Sequence, residues 1–223
     1  GTEASGEAAI ATGENTSAFQ KNATAMGGGT TASGRNATAM GDVTLASGFA
    51  ATAMGSDTKA IDFLATAMGN KTIARGDNST AMGLSTEASG NEATAMGEFT
   101  TASGEASTAT GRMTTASGDH SMAMGFETEA SGLNATAMSE GTTASGRAAT
   151  AMGLNTEASG FQSTAIGNST VAAGGNSLSI GGYNSANTTQ LSQVILVAGN
   201  GSSGSRSDAL VLDTFGNLEI SGT

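Results

Sequence analysis

The chain has 223 residues, 34 of them glycine and none proline or cysteine, and its 19 acidic against 8 basic side chains give a net charge of −11. Without cysteine there is no disulfide scaffold and no thiol chemistry, and eight scattered Lys/Arg residues cannot form the dense cationic surface that nucleic acid requires. Leu, Ile, Val and Phe together number 30 of 223, a proportion at which an acidic chain ordinarily stays unfolded, and no apolar run approaches the roughly eighteen residues of a membrane span.

The chain repeats from its first residue. Gly1-Thr2-Glu3-Ala4-Ser5-Gly6 enters in mid-phrase, which reads as a piece of a longer protein. Stepping by seven from Gly6 to Gly181 visits 26 positions, all glycine except Gln20, Asp62 and Ser139, and the residue two before each is alanine except Ser179. Four residues before, Ala/Ser (Ala23, Ala37, Ala51) alternates with Thr (Thr30, Thr44, Thr58). The unit is therefore fourteen residues in two halves, A-T-A-M-G and T-E-A-S-G, each followed by two variable residues.

In an extended chain alternate side chains share a face. The first and third residues of each half are only Ala, Ser or Thr, which suits the inside of a very narrow coil. Glycine at every seventh place is expected to supply the φ > 0 of a tight corner, and the variable pairs (Arg35-Asn36, Ser56-Asp57, Asp77-Asn78) read as solvent-facing turns. The prediction for residues 1–183 is an all-β fold, a β-solenoid with 14 residues per coil. Some thirteen coils hydrogen-bonded at about 4.7–4.9 Å make a rod of roughly 60 Å.

The other face differs between the halves. In T-E-A-S-G it carries Glu3, Lys59, Glu87, Glu129 and Glu157 beside serines such as Ser33, Ser47 and Ser89. In A-T-A-M-G it carries the pairs Thr24 and Met26, Thr38 and Met40, Thr52 and Met54, Thr66 and Met68, Thr80 and Met82, and Thr94 and Met96. The series continues with Met122 and Met124, Thr136 and Met138, Thr150 and Met152, Thr164 and Ile166, and Leu178 and Ile180. So long an apolar strip on so thin a coil needs a cover, and the simplest cover is another copy of the same chain. These paired residues are the predicted subunit interface.

From Asn184 the register fades. Val194–Val197, Asp208–Leu212 and Leu218–Ile220 read as strands, with turns at 199–204 and Phe215–Asn217, so residues 184–223 are expected to form a small β cap or connector. Catalytic chemistry has no material: His120 is the sole histidine and sits in a turn pair, leaving no metal cluster or Ser/His/Asp triad. The carboxylates recur along a solvated face rather than in a pocket. No enzyme activity, cofactor or metal is expected. The triplets Asn22-Ala23-Thr24, Asn36-Ala37-Thr38 and Asn134-Ala135-Thr136 match a glycosylation acceptor, but their threonine belongs to the repeat column.

The unit N-A-T-A-M-G-x-x-T-x-A-S-G-x closely resembles the head repeats of trimeric autotransporter adhesins (the Yersinia-adhesin-like head), whose usual phrase S-V-A-I-G is approached by Ser163-Thr164-Ala165-Ile166-Gly167 and Ser177-Leu178-Ser179-Ile180-Gly181. The resemblance implies a left-handed parallel β-roll, a parallel homotrimer with the Thr24/Met26 positions of every coil at its axis, and a place on the surface of a Gram-negative bacterium, presented from the outer membrane. It departs in having Thr and Met where the family has Val and Ile. The implied function is an adhesin head binding host matrix or cell-surface molecules multivalently along the rod, with no nucleic-acid partner and no direct membrane contact by this segment. The alternatives are a non-binding spacer or phage-type fibre shaft and, lower in rank, an ice-binding solenoid suggested by the threonine column.

Overall fold

The computed structural model describes residues 1–184, 194–202, 205, 207–213 and 215–220. Among them there is no helix, and the chain is a parallel β-solenoid. Each fourteen-residue coil contributes a five-residue strand and a two-residue strand, such as Thr24–Gly28 and Thr31–Ala32, then Thr38–Asp42 and Leu45–Ala46. Successive long strands pair in parallel at a step of fourteen, so that Thr66, Ala67, Met68 and Gly69 lie beside Thr80, Ala81, Met82 and Gly83. The short strands do the same, with Ile73 and Ala74 beside Glu87 and Ala88.

The chain divides into two compact units, Gly1–Met113 and Thr114–Thr223. The first holds the short strands from Glu3–Ala4 to Thr101–Ala102 and the long strands from Ile10–Glu14 to Thr108–Arg112. The second runs from Thr115–Ala116 to Val171–Ala172 and from Met122–Phe126 to Leu178–Gly182, and then adds three terminal strands.

Small side chains permit this architecture. Ala23, Ala25, Thr30 and Ala32 point inward and are fully buried, as are their equivalents in coil after coil. Apart from Val197 and Asn184, the largest wholly buried side chains are threonines. Backbone pairing takes the place of a bulky core: the Ser17 N–H donates to the Thr30 carbonyl at 2.9 Å, and the Asn22 N–H to the Glu7 carbonyl at 2.9 Å. Ser163 and Ser177 donate their buried hydroxyls to the carbonyls of Gly160 and Gly174 at 2.8 and 2.7 Å.

The corners correct the expectation about glycine. The left-handed residue is the second of each variable pair: Asn22 and Asn36 have φ of 57° and 59°, Asn78 and Asn134 57° each. The Ala37 N–H closes this turn on the Gly34 carbonyl at 3.2 Å. Asparagine tolerates that conformation through its short polar side chain, but Val43, Leu64 and Phe99 adopt it as well, at 52°, 54° and 54°. Glycine serves a different need. A Cβ at Gly34, whose φ is not positive, would lie 2.0 Å from the Gly48 carbonyl oxygen in the next coil. At Gly69 it would lie 2.1 Å from the Gly83 oxygen, and there φ is also +126°. Close approach of one coil to the next disfavours side chains at both kinds of position, although Gln20 and Asp62 occupy the first kind and Ser139 the second, and positive φ is required at only one.

Ser139 occupies a position of the second kind and has φ 94°, between Gly125 at 127° and Gly153 at 124°. A non-glycine residue held there costs roughly 1–3 kcal/mol, and glycine regains that less the entropy it adds to the unfolded chain. Ser139→Gly is therefore expected to stabilise the second unit by about 1 kcal/mol, seen as a higher midpoint in thermal unfolding.

The three segments read as strands at the C-terminal end are Val194–Asn200, Asp208–Asp213 and Leu218–Ile220. The first adds in parallel to Leu178–Gly182 and the other two follow antiparallel. The expected turn at 199–204 is shorter than read: Gly199 and Asn200 belong to the strand and Ser202 bridges Ser205, while Ser203 and Gly204 lie outside the described residues. The Asp213 carboxylate binds Asn217 and the Phe215 N–H, which holds its pKa below the ordinary carboxylate value. The short-strand ladder ends at Val171–Ala172, where the buried Asn184 imitates a further coil. Its Oδ1 accepts from the Val171 N–H at 2.7 Å and its Nδ2 donates to the Val171 carbonyl at 2.9 Å. Asn184→Ala orphans both groups and is expected to cost about 2 kcal/mol, with faster hydrogen exchange at the Val171 amide as the local readout.

Candidate functional site

Because each long strand presents its first and third residues outward, in-register stacking turns one pair per coil into two columns. In the first unit they run from Ile10 and Thr12, through Thr24 and Met26, to Thr108 and Thr110. In the second they run from Met122 and Met124 to Leu178 and Ile180. In each unit the structure places the predicted interface residues in these outward columns, Thr24 through Met96 in the first and Met122 through Ile180 in the second. It adds Ile10, Thr12, Thr108 and Thr110, from two coils that have threonine where the others have methionine or isoleucine before the glycine. Met122, by register, stands in the threonine column beside Thr136.

One property sets this face apart: no charged residue stands in either column, although the chain carries 27 charged Asp, Glu, Lys and Arg side chains. Its residues are mostly half-buried, as are the outward residues of the short strands, and Met26 and Met122 are exposed at 38% and 39%. Among the described residues the charges of the coils lie on the short-strand face, at the corners and at the ends of the long strands that lead into them. There Lys21 pairs with Glu7 at 2.8 Å, Arg75 with Glu87 at 3.0 Å and Arg112 with Glu98 at 3.3 Å, each between neighbouring coils. These exposed pairs are each worth little. They do mark the charged side of the coil.

The corners are less uniformly polar than the sequence suggests. Phe49 and Phe63 stack with ring centroids 5.4 Å apart and 11° between planes, and both, with Leu64, are exposed. His120 is an exposed left-handed corner residue. Asn22, Asn36 and Asn134 occupy the same kind of corner, and Asn22 donates to the Asn36 Oδ1 at 3.0 Å. The glycosylation-like triplets thus have a backbone cause: asparagine suits the left-handed corner, and threonine two residues later begins the long strand.

Among the described residues there is no cluster of three or more His, Cys, Asp or Glu side chains arranged to hold a metal ion. What the geometry of each unit offers is surface: an uncharged long-strand face and, opposite it, a polar short-strand face, each repeating at the strand spacing of about 4.8 Å.

A family model described as the YadA head domain repeat, in two copies, matches residues 4–30, 20–43, 64–86, 88–112, 116–138 and 158–184, together more than half of the chain. A comparison with curated proteins finds no match. The matched segments coincide with the fourteen-residue coils, and the chain belongs to the family of YadA head domain repeats.

Proposed function

We propose that this chain is the head of a trimeric autotransporter adhesin, in which three parallel copies bury the Thr/Met faces against one another and present the polar coils to host matrix or cell-surface molecules. The observation that carries the reading is the charge-free apolar face running along the long strands of a chain whose net charge is −11. Family membership supports it, since this family is structural and adhesive rather than enzymatic. On this reading the coils through residue 183 form the binding head, residues 184–223 form a cap or connector, and the whole is displayed on the cell surface from the outer membrane of a Gram-negative bacterium. Attachment comes from weak contacts repeated over coils and over chains, so avidity replaces a single site.

The test takes the full chain, first for mass in solution and then for retention on immobilised collagen, laminin and fibronectin and on host cells. A trimer that is retained, and that loses retention when converted to monomer, supports the adhesin. A trimer retained by none of them favours a spacer, and a stable monomer overturns the assembly.

A further inference from the structure

The terminal strands carry the same face onward with a different composition. By register Thr164 lies beside Leu178, Leu178 beside Leu196, Leu196 beside Leu212, and Leu212 beside Leu218. The neighbouring column passes from Ile166 through Ile180, Ala198 and Leu210 to Ile220. Residues paired in register share a face of the sheet, and burial agrees, because the alternate positions Ser179 and Val197 are both fully buried on the inner side. The face that is Thr and Met at Thr150–Met152 thus ends in Leu and Ile, with Ala198 as the single exception. In the single chain Leu218 and Ile220 stand 56% and 70% exposed on the last strand of the sheet among the described residues, and apolar side chains exposed on an edge strand invite association.

The repeat itself poses a problem that this change of composition solves. If copies meet through the long-strand face, sliding one chain by a coil sets Met138 against Met152 and Thr136 against Thr150, so in most coils a side chain meets its own kind again; only isolated positions such as Ile10, Thr12, Thr110 and Met122 break the columns before Ile166. Near-identical in-register repeats therefore specify the shape of the seam more strongly than its alignment, much as uniform strands permit register slips. A longer stretch of distinct composition discriminates among alignments more sharply.

We propose that the three terminal strands are the register clamp of the assembly, occupied by the same strands of two further copies of this chain. The inference rests on the reading of the long-strand face as the trimer seam and goes beyond it by locating what aligns the chains. Leu196, Leu210, Leu212, Leu218 and Ile220 meet their equivalents only when all coils are in step. A slip of one coil sets Leu178 against Thr164 and Ala198 against Ile180 and Leu210, and leaves Leu218 and Ile220 of one chain facing water.

Because the chain has no cysteine, cross-linking reads alignment directly. Met138→Cys and Met152→Cys chains with different tags are co-refolded and oxidised, and the linked peptides are identified by mass spectrometry. With the terminal strands intact, Cys–Cys links join only equal positions. In a Leu212→Ser/Leu218→Ser background, links between positions 138 and 152 are expected to rise at least about tenfold, while Glu219→Ser, which alters the opposite face, changes nothing. Circular dichroism checks that the coils persist, and Ile220→Ser carries the test should the double variant unfold. A trimer whose links stay between equal positions in the serine background overturns the clamp and leaves the seam standing. A native chain that is monomeric and gives no links overturns the seam itself.

Discussion

Gly69→Ala is expected to destabilise the first unit by about 4 kcal/mol, combining roughly 1–3 kcal/mol for holding alanine at a backbone conformation that belongs to glycine with about 1–3 kcal/mol for overpacking. The new methyl would lie 2.1 Å from the Gly83 oxygen and 2.9 Å from its carbonyl carbon, both backbone atoms of the adjoining strand. No rotamer change can relieve that contact, so the ladder between these coils must open. Gly29→Ala is the matched comparison: φ is +60°, and the nearest atom is the Val43 Cγ2 at 3.7 Å. Its expected cost is about 1 kcal/mol. Since each coil contacts only its neighbours, the damage should be local, and native-state hydrogen exchange over residues 52–84, compared with residues 94–112, measures it. Equal effects of the two substitutions would show that coil spacing is looser than the structure has it. Ser139 is the natural precedent, for the backbone there rotates to φ 94° instead of retaining the angle of its glycine neighbours.

Much of the architecture was legible in the sequence because a narrow coil leaves few options. The alternation of Ala23 and Ala25 with Thr24 and Met26 marks inside from outside, and the unbroken step of seven gives the length of the coil. The corners were less legible. The sequence suggests positive φ at every glycine of the series, and the structure has it at alternate ones, such as Gly27, Gly41 and Gly69, but not at Gly34 or Gly48, while a further left-handed residue stands two positions after each, where asparagine recurs in only some coils. The reason glycine is needed at Gly34 is a contact fourteen residues away, and no local propensity reports that. Asn184 was silent for a similar reason: an asparagine at the end of a repeat looks like any turn residue until its amide is seen pairing with both polar groups of the Val171 backbone. The apolar face was legible as composition, from Thr24 to Ile180. Its continuation into Leu212 and Leu218 was not, because pairing there turns antiparallel and the step of fourteen no longer points to the partner.

Met82→Asp is expected to dissociate the proposed trimer at neutral pH while leaving the coil intact. Met82 lies in register between Met68 and Met96 and is half-buried in the single chain, so a monomer tolerates a carboxylate there. Around a threefold axis the same substitution brings three carboxylates together out of water. Each ion loses several kcal/mol of hydration with no cation opposite, so even about 4 kcal/mol in total weakens association roughly a thousandfold. Burial and the two like charges raise the pKa of the introduced group in the trimer above its value in the monomer. Association is then fully regained only below the monomer's value of about 3.9 and is lost as pH rises through the raised value. Sedimentation at pH 7 and at pH 3.5 should give monomer and trimer respectively, and Met82→Leu should remain trimeric at both. A Met82→Asp chain that stays trimeric at pH 7 would place the seam on some face other than the methionine column, and the polar short-strand face would then be the next surface to probe.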